Sequence, residues 1–135
     1  MARNDNYVTQ FMDEKNVKYL GAVTRERLVK EQLAAQIHYY PCTYEELFCI
    51  AVAESQVAGV LPITTTKGAL ETTNMGVLID GRGEDQATQQ VFIEKTLEYL
   101  NKPDLTRIQN ELRQKALERF DLNRILKEWD ERVFR

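Results

Sequence analysis

Apolar positions fall in short runs over the first half of the chain and at every third or fourth position over the second half. Tyr7, Val8, Phe11 and Met12 lie at one-turn spacing and predict a helix over 5–14. VKYLG (17–21) reads as a short strand closed by Gly21. Thr24 can cap a helix from about 25 to 35, with Leu28, Leu33 and Ala34 as its core face. IHYY (37–40) predicts a second strand, ended by Pro41. A helix over about 47–58 then stops at Gly59, a residue suited to follow a helix end. LPITT (61–65) and GVLI (76–79) predict two further strands, and the turn-rich DGRGED follows.

Beyond that point the period is helical throughout. Val91, Ile93, Leu97 and Leu100 mark one helix, ending before Pro103. Leu105, Ile108, Leu112, Ala116 and Phe120 mark the next, and Leu122, Ile125, Leu126, Trp129 and Val133 the last. These stripes read as core faces. Strands alternating with helices over 17–79 imply an α/β fold with a parallel sheet built from βαβ crossovers.

A chain of 135 residues supports a single domain with one core. Its formal net charge of −3 argues against a nucleic-acid or anionic-membrane surface, which needs a basic field. No run approaches the roughly 20 apolar residues of a membrane span, and the N-terminus MARNDNYVTQ has no apolar signal region, so a cytoplasmic protein is expected. Cys42 and Cys49 lack metal-knuckle spacing and read as free thiols. With His38 the only histidine, a multi-histidine metal site is excluded, and no metal or cofactor is expected. Set in IHYY, His38 reads as a satisfied strand histidine.

Candidate chemistry lies in EELFCIAVAE (45–54), where Glu46 and Glu54 bracket an apolar run. Eight residues of continuous helix separate two side chains by about 12 Å along the axis and about 80° around it. Such a pair cannot share one proton or one small metal ion. If Glu46 precedes the helix and Glu54 lies inside it, the free amides near Phe48, Cys49 and Ile50 make an anion site between them. A molecule with phosphates in the middle and hydroxylated rings at both ends fits that pattern, as a nucleoside diphosphate sugar does. Taken alone, the spacing fits two solvated glutamates better.

The neighbouring residues add a family resemblance. Pro41, Cys42, Tyr44, Glu46-Leu47-Phe48-Cys49 and Glu54-Ser55, followed by Ala58-Gly59-Val60, LPITT and Gly68-Ala69 with Glu71, resemble the donor-binding half of retaining GT-B glycosyltransferases of the family 4, or group 1, type. That pattern runs from Pro-Ser through an aromatic to Glu-Gly-Phe-Gly and Glu-Ala, then Ala-Gly-Val-Pro-Val and a Gly-Gly turn. VKYLG resembles the family's Val-x-Phe-Leu-Gly strand, GVLI its closing strand, and ALERFDLNRILKEW its last helices, so the likeness spans nearly the whole chain in order. It implies that Glu46 is the carboxylate at the transferred sugar, binding its hydroxyls, and that Glu54 binds the ribose. Amides around Phe48, Cys49 and Ile50 would approach the sugar and diphosphate. The turn from Thr66 through Lys67 and Gly68 to Ala69 would line the same cleft. Leu47 and Cys49 stand where the family has glycines, and Pro62 sits one place late. Lys67 is either a phosphate contact or a solvated loop lysine.

The resemblance also implies a Rossmann-like half whose usual strand order is 3-2-1-4-5-6. Its first strand, with the Arg and Lys that neutralise the diphosphate, and the strand after it have no counterpart ahead of VKYLG. The expectation is therefore a partial Rossmann-like parallel sheet of about four strands, VKYLG pairing directly with IHYY, with helices on both faces and a helical C-terminal tail. A fragment or truncated product is expected, with the missing N-terminal half or self-association completing it and little transferase activity by itself. The donor would be a nucleotide-sugar, the acceptor an unspecified glycan, lipid or protein. A module of another class, a non-catalytic α/β interaction domain docking a partner through Trp129 and Phe134, is the alternative.

Overall fold

The computed structural model describes residues 14–134, so the helix predicted over 5–14 lies, apart from a non-helical Glu14, outside the described residues. The sheet is made by β1 (Ile37–Tyr40), β2 (Leu61–Thr65) and β3 (Val77–Ile79), in that order and all parallel. Ile37 pairs with Leu61, Ile63 with Val77, and Thr65 with Ile79. Helix α1 (Arg25–Ala34) precedes the sheet, α2 (Ile50–Val57) crosses from β1 to β2, and α3 (Leu70–Thr73) from β2 to β3. Three helices follow: α4 (Gln86–Leu100), α5 (Leu105–Arg119) and α6 (Leu122–Arg132).

The register decides which side chains meet, because successive strand residues face opposite sides. Ile37, Leu61, Ile63, Val77 and Ile79 share one face and pack against Phe92 and Tyr99 of α4 and Leu105, Ile108 and Leu112 of α5. His38 and Thr64 face the other side, toward Ser55 of α2 and Asn74 after α3. Helices therefore cover both faces, and all five residues of the central strand are buried. Completely buried Ile63, Leu70 and Phe92 each contribute about 1.5–3 kcal/mol. Helix α2 ends where Gly59 turns left-handed (φ 84°), which lets the Val60 amide reach back to the Ser55 carbonyl at 2.9 Å.

Buried polar groups lock the β2–α3–β3 segment. The Gln56 amide donates to the carbonyls of Val52 (3.1 Å) and Thr73 (3.0 Å), and its oxygen accepts from the Met75 amide at 2.7 Å. Asn74 donates to Thr64 Oγ1 at 2.8 Å and to the Val77 carbonyl, and accepts from the Gly76 amide. Among the described residues no buried side-chain polar atom lacks a partner.

Several sequence expectations are corrected. VKYLG is not a strand: residues 17–21 are in no ladder, Val17 and Tyr19 are exposed, and β1 is the edge among the described residues. Among the described residues the sheet therefore has three strands rather than about four, because strand-forming residues still need a neighbouring ladder to satisfy their backbone. Helix α1 forms as predicted and is capped by Thr24, yet none of its residues is buried and Leu28, Leu33 and Ala34 face solvent. On α4 the buried positions are Thr88 and Phe92, whereas Val91, Ile93, Leu97 and Leu100 are exposed. The apolar stripe of α6 is exposed as well. Only α5 buries its predicted stripe, through Leu105, Leu112 and Ala116.

Candidate functional site

The loops leaving the carboxyl ends of the three strands converge, the position at which open α/β sheets place their ligands. After β1 the chain turns at Pro41, and the Thr65 hydroxyl at the end of β2 donates to the Cys42 carbonyl at 2.8 Å. Gly83, after β3, lies so close to Pro41 that a Cβ would collide with its carbonyl. The turn after β2 is fastened to Glu46 itself. The Ala69 amide donates to the Glu46 carbonyl at 2.7 Å, and a Cβ on Gly68 (φ 54°) would strike the Glu46 backbone. Thr66 donates to Asp80 at 3.3 Å across to the β3 loop.

The helix begins at Ile50, not near residue 47, and Glu46 to Cys49 form an irregular approach to it. Cys49 holds φ 63° and ψ 77°, the one left-handed residue other than glycine among the described residues. An L-residue there costs about 1–2 kcal/mol. Glycine adopts this bend without steric cost, so Cys49 takes a torsion that a side chain normally resists. The thiol packs with Cys42, Val52 and Leu70. Burial raises its pKa, a backbone contact with Val52 opposes the shift, and the Glu46 carboxylate adds to it.

Glu46 projects its carboxylate back over β1. The Tyr40 hydroxyl donates to its Oε1 at 2.6 Å, and the Tyr44 hydroxyl lies 2.7 Å from that of Tyr40. This holds the Glu46 carboxyl below the usual carboxylate range, first through Tyr40, with burial opposing and Tyr44 and Cys49 assisting. The same residues wall a hollow of about 670 Å³ that also includes His38, Leu47, Phe48, Ile50 and Ala51. Leu47 is 95% exposed on its rim. Phe48 turns its ring edge-on to Phe120, centroids 5.9 Å apart. The amides of Ile50 and Ala51 belong to the first helical turn, where no intrahelical acceptor exists.

Glu54 sits one to two turns along α2 and binds Arg25 of α1 at 2.6 Å. It lines two other hollows: one of about 320 Å³ with Gln32, His38 and Ala51, and one of about 420 Å³ with Arg25, Arg113 and Phe120. Glu46 and Glu54 thus line separate hollows that meet at His38 and Ala51. The Thr66–Ala69 turn lines none of these hollows; it buttresses Glu46 from behind, and Lys67 is partly exposed beside it.

Two groups went unnoticed in the sequence, Tyr40 and Arg25. Period-two alternation places His38 and Tyr40 on one face of β1, where their rings stack at 5.7 Å, and that was a readable signal for Tyr40. His38 is satisfied by Ser55 Oγ at 2.9 Å, and burial lowers its pKa. Among the described residues no group of three or more His, Cys, Asp or Glu gathers to hold a metal, and no helix is long and apolar enough to cross a membrane. Comparison with known proteins adds one finding: the family model described as Glycosyl transferases group 1 matches residues 3–119. No curated protein matches the chain.

Proposed function

Because the chain belongs to the group 1 glycosyltransferase family, we propose that it is the donor-binding part of such an enzyme, taking a UDP- or GDP-sugar. The observation that carries this reading is Glu46: a fixed, ionised carboxylate at the carboxyl edge of a parallel sheet, beside the amino end of α2. In the proposed complex Glu46 accepts hydrogen bonds from hydroxyls of the transferred sugar. The α2 amides at Ile50 and Ala51 face the diphosphate. Glu54, one of whose oxygens already binds Arg25, uses the carboxylate to hold the ribose, and Arg25 brings positive charge to the same place. Transfer proceeds with retention of configuration and also needs an acceptor-binding body, so residues 1–135 by themselves are expected to show little or no transfer. The acceptor is a glycan, lipid or protein, and the proposed setting of the reaction is the cytoplasm.

Thermal unfolding with millimolar UDP, GDP, UDP-glucose or GDP-mannose tests the reading. Tenfold excess over Kd contributes about 1.4 kcal/mol, an upward Tm shift of several degrees. Glu54→Ala is expected to abolish it. No shift with any of the four overturns the donor reading, and robust sugar transfer by the purified chain overturns the claim of dependence on a second body. A non-catalytic interaction module is favoured by one observation, the exposed stripe of Leu122, Leu126, Trp129 and Phe134 on and beyond α6. It predicts no nucleotide response at all.

A further inference from the structure

We propose that Tyr40 is a positioning residue for Glu46: its hydroxyl, backed by that of Tyr44, aims the carboxylate that would meet the transferred sugar. The inference rests on the donor-site reading for the word sugar, though the geometry stands without it. Tyr40 belongs to β1, paired with Thr64, and its ring packs on the cluster formed by Cys42, Cys49, Val52 and Leu70. The hydroxyl is therefore placed by the sheet rather than by a loop. Glu46, in contrast, belongs to the loop before α2. The Ala69 amide and the lack of space at Gly68 fix its backbone, but neither touches its carboxylate. The 2.6 Å bond from Tyr40 supplies that missing constraint.

The direction of the bonds follows from the chemistry. An ionised carboxylate only accepts, so Tyr40 donates to Glu46 and its oxygen is left to accept from Tyr44 at 2.7 Å. Tyr44 is exposed at the open end of this chain of hydroxyls. The groups that face Glu46 are Tyr40, Tyr44 and the Cys49 thiol, with no cation among the causes that act on it. Held this way, Glu46 is an acceptor for ligand hydroxyls and not a proton donor.

The test combines carboxyl-detected NMR titration of Glu46 with binding of UDP-glucose and GDP-mannose against UDP and GDP. Tyr40→Phe is expected to raise the Glu46 midpoint and to weaken both sugar nucleotides by about tenfold, while UDP and GDP stay within about twofold. Tyr44→Phe, at an exposed position that leaves folding intact, is expected to move both readouts the same way by less. A purely structural tyrosine would lower Tm and leave the Glu46 midpoint where it was. An unchanged midpoint in both variants overturns the proposal, as does an equal loss of affinity for sugar nucleotides and free nucleotides. If wild type binds none of the four ligands, the donor reading fails, and the midpoint still decides the role of Tyr40.

Discussion

The segment from Leu61 to Ile79 and the flank from Val17 to Ala34 draw on the same kinds of residue and end in opposite conditions. The first buries polar Thr64, Thr73 and Asn74 along with Leu61, Ile63 and Leu70, and each buried polar side chain finds a partner. The second exposes Val17, Tyr19, Leu28, Val29 and Leu33, and among the described residues no strand pairs with the outer edge of β1. The difference lies in neighbours rather than composition. A βαβ crossover encloses its own residues between two strands and a helix, whereas a strand and helix on a sheet edge stay open unless something packs on them. The loops at the carboxyl ends of the strands grow from the enclosed region and hold the Glu46 backbone, while Glu54 reaches the open flank through Arg25.

The comparison breaks most directly at Gln56. Gln56→Ala strips the partners from the Thr73 carbonyl and the Met75 amide and leaves a cavity, so urea unfolding is expected to show a loss of about 3 kcal/mol. Leu33→Ala on the flank is expected to cost about 0.5 kcal/mol or less; equal losses would erase the contrast. Gly68→Ala should come next, at about 2 kcal/mol, because its φ of 54° and its contact with the Glu46 backbone both resist a side chain. Calorimetry gives the size, and the Glu46 NMR signal should shift with it.

The smallest effect concerns His38. Burial lowers its pKa from 6.5, so the unfolded chain binds the extra proton first. Its contribution is complete above pH 6.5 and declines as pH falls below that value. A Tm decrease of about 1–2 °C between pH 7 and 5.5 is expected, flattened in His38→Gln. An unchanged slope in that variant would assign the effect to other groups.

Much of this arrangement was legible in the residues. IHYY and LPITT became strands at their predicted limits, and Gly59 closed α2 as expected. The parallel order followed from strand–helix alternation. VKYLG misled because strand character is a property of a pair, and the sequence shows only one member. The face of α4 misled because Val91, Ile93 and Leu97 are the more conspicuous apolar residues, whereas the side turned inward carries Thr88, Phe92 and Tyr99. Glu46 stands out through its sequence surroundings, but its bond to Tyr40 depends on how a loop folds back over a strand, which no spacing rule encodes. The pairing of Glu54 with Arg25, 29 residues away, was hidden for the same reason.

Cys49 shows what this loop demands of the residue it holds. Its main chain still takes the mirror-image torsion that a hydrogen in place of a side chain would permit without cost, while the thiol occupies the interior. The loop thus sets a backbone demand at this position that is separate from the packing of the side chain. In a randomised library at this position, survivors should rank by tolerance of that torsion, with Gly, Asn and Asp ahead of Ala, Val and Leu, rather than by greasiness or bulk.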